Sequence, residues 1–296
     1  MKFCILAALL FWLVPCALGQ RETLVTADNP KPAELPTLSV WQQKSQDRVL
    51  THVASTFPNV PNFTCDTWCY ETDVDFLDAK PLDGGRLQLR HRWKAQPQTI
   101  CVTTVTPEPG AVEFLAKAEL DSSVADNPPR RMPGLNACWQ LRSAPDFASK
   151  PDPYPKFVER CFIFTDDGLT LLHKTVRNKH TRWPEDNPYN NPPWVQMYTA
   201  IWRPVVKSYE QSFAAFSPTR YVYPIMGCLS RDGKYLTALA NDSANSMGQA
   251  WHDCMHNNAA WAADKPGGEP VWRIRIYALE NSPDELLRRV GRDFPK

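Results

Sequence analysis

Turn residues punctuate this chain at short intervals, and the segments between them are short and rich in β-branched side chains. Residues 161–165 and 169–173 flank Asp166-Asp167-Gly168, and residues 225–230 and 234–239 flank Arg231-Asp232-Gly233. Each arrangement predicts a hairpin, because an aspartate-glycine turn supplies the positive φ that a tight antiparallel connection needs. Arg86-Leu87-Gln88-Leu89-Arg90 follows an Asp83-Gly84-Gly85 turn, and Cys101-Val102-Thr103-Thr104-Val105 is bounded by Pro107 and Pro109. Residues 111–120 alternate in part. Residues 271–277 alternate strictly, with Val271, Arg273, Arg275 and Tyr277 opposite Trp272 and Ile274, the pattern of a half-buried strand.

One segment reads clearly as a helix. Ser282 is an N-cap, Pro283 fills the first helical position, Glu285 completes a capping box, and Leu286, Leu287 and Val290 form the apolar stripe. A shorter helix is expected within residues 39–56, where Trp41, Val49, Leu50 and Val53 are loosely spaced. No strand-helix alternation runs through the chain, so the expected class is all-β: a large antiparallel β-sandwich with a short C-terminal helix.

The first nineteen residues carry Lys2, an apolar run over residues 3–14 and then Ala17-Leu18-Gly19, the pattern of a signal peptide cleaved before Gln20. Lipid attachment at Cys16 is disfavoured by Pro15, where a small residue is normally required. Pro30, Pro32 and Pro36 make residues 20–38 an extended leader. Residues 39–296 are then expected to form one sandwich domain, with the proline clusters at 145–155 and 184–193 as ordered loops inside it. No later apolar run approaches the roughly 18 residues of a membrane span. The expected location is secreted or periplasmic.

Charge is nearly balanced, 33 basic against 32 acidic residues with both signs mixed, so nucleic acid is not an implied partner. Seven cysteines follow the leader, an odd number that leaves at least one thiol unpaired in a monomer. If residues 63–70 are a strand, Cys65 and Cys69 stand roughly 13 Å apart at ~3.3 Å per residue, beyond the about 7 Å that a disulfide tolerates between Cα atoms. They need other partners, or are buried as small apolar residues.

The segments G-G-R-L-Q-L-R-H-R, V-T-T-V-T-P-E-P-G-A-V-E-F, L-N-A-C-W-Q-L-R and S-R-D-G-K-Y-L together resemble the large antiparallel supersandwich of galactose-mutarotase-like carbohydrate proteins, over about residues 40–280. The resemblance implies a protein that binds or acts on sugars at a concave sheet face. It assigns no catalytic residue to a position here.

Chemistry-bearing residues concentrate in residues 248–261, G-Q-A-W-H-D-C-M-H-N-N-A-A-W. On a helix, His252 and His256 would share a face beside Asp253; on a strand, His252, Cys254 and His256 would share one. The H-D-C-M-H spacing matches a zinc-protease helix but has Asp253 in place of the glutamate that activates water. In a second reading, His252 and His256 act as acid and base at a sugar carbon or glycosidic oxygen, with Asp253 orienting an imidazole. In a third, the histidines are structural. A second region, residues 183–203, mixes aromatic rings and amides suited to a glycan.

The expectation is therefore carbohydrate processing as a lyase, epimerase or glycosidase, with Trp251, Asn257, Asn258, Trp194, Tyr198 and Arg203 shaping the cleft. The alternatives are a noncatalytic glycan-binding protein and a metal-dependent hydrolase. No cofactor is expected and no tightly held metal, because the local segment offers only two or three donors and a structural zinc usually has four. Cys254 has a distant cysteine as its other option, Cys228 being nearest in sequence. Asn62-Phe63-Thr64 and Asn241-Asp242-Ser243 match the N-glycosylation pattern.

Overall fold

The computed structural model describes residues 21–28, 35–43, 48–55, 60, 62–69, 74–94, 96–121, 135–141, 144–148, 150, 154–177, 195–204, 210–211, 214–242, 244–249, 253–259, 262–263 and 270–295. The expected signal peptide and the Pro30 and Pro32 stretch of the leader lie outside the described residues, as does the proline cluster at 184–193.

Among the described residues the strands are β1 (Arg21–Thr26), β2 (Thr37–Gln43), β3 (Arg48–Ala54), β4 (Phe63–Cys69), β5 (Val74–Leu82), β6 (Arg86–Trp93), β7 (Gln96–Glu108), β8 (Ala111–Leu120) and β9 (Leu135–Gln140). After helix α1 (Tyr154–Arg160) come β10 (Cys161–Thr165), β11 (Gly168–Leu171), β12 (Val195–Ala200), β13 (Glu210–Gln211), β14 (Ala214–Tyr221), β15 (Tyr223–Leu229) and β16 (Tyr235–Ala240). The chain ends with β17 (Ala244–Gln249), β18 (Cys254–Ala259), β19 (Ala262–Ala263), β20 (Pro270–Glu280) and helix α2 (Pro283–Asp293).

These strands make two sheets. One runs β1-β2-β3-β4-β9-β18-β17-β12-β14-β13 and the other β11-β10-β15-β16-β20-β8-β7-β6-β5, with β19 beside β20. Their pairings are antiparallel except β12 with β14, which is parallel. One apolar cluster draws on both sheets, with Leu38, Phe63, Trp139, Tyr198, Met247 and Met255 from the first, and Leu89, Phe114, Ile163, Trp272 and Ile274 from the second. The expected β-sandwich with a C-terminal helix is what forms.

Period-two burial explains the individual strands. In β6, Leu87, Leu89, His91 and Trp93 are buried while the arginines and Gln88 between them are half-buried. A histidine therefore occupies an inward slot. Both expected hairpins form, β10 with β11 and β15 with β16. Their glycines take φ +86° at Gly168 and +71° at Gly233, values that favour glycine. Asp232 locks the second turn by accepting from Ser230 Oγ at 2.7 Å and Lys234 N at 3.1 Å.

Several expectations need correction. Residues 39–56 hold no helix among their described positions: they form most of the antiparallel pair β2 and β3, with Leu38 and Val40 buried at period two and Trp41 stacked on His52 at 3.8 Å. β-Branched Val40, Val49, Thr51 and Val53 favour this extended geometry. The leader is ordered at Arg21–Thr26, an edge strand on β2 whose Arg21 guanidinium lies 5.6 Å from the Trp41 ring centroid. The final strand is buried on both faces rather than one. Trp272, Ile274 and Ile276 enter the inter-sheet core, and Tyr277 and Leu279 pack under Leu286, Val290 and Phe294 of the α2 segment. α2 itself is capped as expected, Ser282 Oγ accepting from Glu285 N at 3.3 Å.

The loop after β9 is pinned by two arginines. Arg231 donates to the carbonyls of Pro145 and Lys150 at 3.0 and 2.9 Å, and Arg160 to Ala148 O at 2.9 Å. Helix α1 begins at the end of the expected proline loop at 145–155 and places Phe157 and Val158 in the core.

Candidate functional site

Residues 254–259 form a strand, which decides between the two geometries open to the histidine-rich segment. Cys254, His256 and Asn258 project from the outer face of the first sheet, while Met255, Asn257 and Ala259 project inward. The helical zinc-protease arrangement is thereby excluded for His256. His252 and Trp251 lie outside the described residues, as does Trp194. Asp253 precedes the strand in a bend, is buried, and its carbonyl accepts from Leu141 N at 2.9 Å.

The remaining candidates do not converge. Asn257 is fully buried on the inner face and its Oδ1 accepts from Asn241 Nδ2. Asn258, on the outer face, donates to Ser246 Oγ at 2.8 Å. Tyr198 is fully buried between the sheets: its hydroxyl contacts Thr175 Oγ1 at 2.8 Å and accepts from Arg177 Nη1 at 3.2 Å. Arg177 also donates to Gln249 Oε1 at 2.8 Å. Burial pushes the Tyr198 hydroxyl above its ordinary pKa despite the neighbouring arginine. Such a tyrosine braces the interior and does not line an open cleft. Arg203 is exposed in the turn after β12. The Asn241 sequon is closed to a glycan, because Asn241 is fully buried.

A different constellation does assemble. Cys138 of β9 stands opposite His256 in the register, and Cys254 is two residues along β18 on the same face. The ligand atoms of Cys138, Cys254 and His256 all lie within 4.8 Å of one another, with Cys254 Sγ 3.3 Å from His256 Nε2. Both thiols are buried and Val195 packs against them, while His256 is half-buried. Two thiols and an imidazole are donors for a thiophilic cation. Sequence reasoning missed Cys138 because nothing local links residue 138 to residue 256; only strand order brings them together.

The other described cysteines fall elsewhere. Cys228 lies in the second sheet opposite Cys161, away from the Cys254 partnership that sequence proximity suggested. Burial and the adjacent Cys228 push the Cys161 thiol well up, so it is held as a neutral thiol. The six cysteines whose side chains are described, at 65, 101, 138, 161, 228 and 254, are all buried.

One surface feature stands apart. At the end of β12, Ile201, Trp202 and Arg203 are exposed, with Trp202 50 % accessible and its ring edge-on to Tyr221 at 5.8 Å. Backbone bonds fix this turn: Ile201 N donates to Tyr221 O and Arg203 N to Ala200 O, both at 3.1 Å. The Arg220 guanidinium donates to the carbonyls of Ala200 and Arg203.

No protein-family model matches the chain, and no curated protein matches it in sequence.

Proposed function

We propose that this chain is a carbohydrate-binding protein acting outside the cytoplasm, with the Ile201, Trp202 and Arg203 turn as its recognition surface. The observation that carries this reading is Trp202, a large ring half exposed in a turn that four hydrogen bonds hold rigid. An indole covers the C–H face of a pyranose, and a flanking guanidinium serves hydroxyl or carboxylate groups. A platform already ordered before binding spares the ligand part of the entropic cost. The signal-peptide pattern of residues 1–19 and the resemblance to galactose-mutarotase-like proteins support the same reading.

Binding without catalysis is favoured over the lyase, epimerase or glycosidase reading. An acid–base pair needs its groups around one substrate atom, whereas Asp253 is buried before the strand and the His256 ring is engaged by the Cys254 thiol. A glycan array tests the proposal. Wild-type protein is expected to bind at least one glycan class, and Trp202→Ala to weaken that binding by about tenfold, some 1.4 kcal/mol, with an unchanged melting temperature. Absence of any bound glycan, or binding indifferent to Trp202→Ala, sinks the reading. A product formed from a bound glycan and lost in His256→Ala would restore the enzyme.

A further inference from the structure

We propose that Cys138, Cys254 and His256 form a binding site for a thiophilic divalent cation, with zinc as the ion. The inference is independent of the glycan reading and rests on the outer face of the first sheet.

Strand order does the assembly. Met197, Gly248, His256, Cys138 and Asp66 occupy one register row across β12, β17, β18, β9 and β4. His256 and Cys138 are neighbours in that row, and Cys254 sits one pleat repeat away. Three donors on two adjacent paired strands are held by the sheet's backbone hydrogen bonds rather than by a loop, so little ordering is needed when an ion enters. Zinc–sulfur and zinc–nitrogen bonds of about 2.3 and 2.0 Å place neighbouring tetrahedral ligands about 3.5 to 3.8 Å apart. Donor atoms already within 4.8 Å of one another, one pair at 3.3 Å, need shift only by about an ångström or less.

Charge and shelter agree with this assignment. Two thiolates neutralise a dication, and neutral imidazole completes the set, so the loaded site carries no net charge into its buried surroundings. Val195 packs against both thiols. Gly248, opposite His256, admits a second apolar wall: a Cβ there would lie 2.6 Å from Met197 Sδ and 3.0 Å from Val195 Cγ1. His256 is half-buried, so the set is not sealed from solvent, and a water molecule is the simplest fourth ligand. A catalytic thiol–imidazole pair is the weaker assignment, because Cys254 is fully buried and a substrate could not reach its sulfur.

The test uses the full chain, purified under a thiol reductant without chelator and titrated with zinc alone and with cobalt(II) alone. One equivalent of each is expected to bind. The cobalt form should show intense thiolate-to-metal bands in the near ultraviolet with the visible bands of a tetrahedral site, a signature read on the wild type without any variant. Cys138→Ser, Cys254→Ser and His256→Gln should each weaken zinc binding at least about tenfold, by comparison with the loss seen when mere supporting groups are removed. Cys101→Ser, a buried thiol of the second sheet, should leave affinity unchanged. A cobalt spectrum without thiolate bands overturns the proposal. So does a Cys138–Cys254 disulfide, mapped by mass spectrometry, in reductant-treated protein that takes up no zinc.

Discussion

Arg275→Met is expected to remove about 3–5 kcal/mol of stability, the cost of stranding charges in a buried ion cluster. The Arg275 guanidinium, with 11 % of its side chain exposed, bonds Glu113 Oε2 at 2.9 Å and also reaches Glu108 and Asp293. Tyr277 donates to Asp293 Oδ2 at 2.9 Å. Burial alone would push Asp293 up, but hydrogen bonds from Arg292 and Tyr277 and the Arg275 charge hold its carboxyl below the usual range. Burial lifts Glu108 above its ordinary value even with Arg275 beside it. The cluster ties the end of α2 to β20, β8 and β7, so removing its central cation leaves three carboxylates around an apolar side chain, with Arg273 3.7 Å from Glu113 and Arg292 2.7 Å from Asp293 as the partners that remain. Urea unfolding of Arg275→Met against wild type measures the loss. Arg288→Ala, which breaks an exposed pair with Glu285 that solvent screens, should leave stability nearly unchanged. Equal effects in the two variants would show that the cluster relaxes into solvent.

The second large effect is acid destabilisation through His91. The residue is 7 % exposed with its imidazole edge-on to Phe76, and burial pushes its pKa down to about 4 from 6.5. A folded value below the unfolded one means that the unfolded chain binds the extra proton. Stability is full above pH 6.5 and is lost as pH falls toward 4, by about 3 kcal/mol for a shift of this size. His52 acts in the same direction: burial, then the Arg21 charge, lowers it to about 4, and its Nδ1 has no hydrogen-bond partner among the described residues. Urea unfolding at pH 7.5 and 4.5 checks this. His91→Leu should lose about 2 kcal/mol less than wild type between the two pH values. Parallel losses in both proteins would place the acid sensitivity elsewhere.

What the sequence revealed was whatever depends on near neighbours. The hairpins at Gly168 and Gly233, the β6 alternation and the Ser282 cap are local events, and each is legible in a few residues. The strands at 39–56 do not stand out because loosely spaced Trp41, Val49, Leu50 and Val53 fit no period well, and the stacking of Trp41 on His52 across the β2–β3 pair is invisible in one dimension. Residues 271–277 read as half-buried because their second cover, α2, folds back onto them. The candidate site follows the same division. The strand geometry of His256 and Cys254 was one of two local options, whereas Cys138 could be found only through the register of β9 with β18. Tyr198 looked like a cleft residue because an alternating aromatic strand has no label for which face meets water.

Strand order also sets when this molecule can fold. β18 lies between β9 and β17, and β20 lies between β8 and β16. Each sheet therefore joins an early block of the chain to a late one through a strand near the carboxyl end. Until residue 280 has left the ribosome, β8 and β16 remain raw edges, able to pair with another chain. The nascent protein thus accumulates unsealed sheet as it lengthens and closes only with its last strand, which makes its yield depend on how long those edges wait and on what shields them.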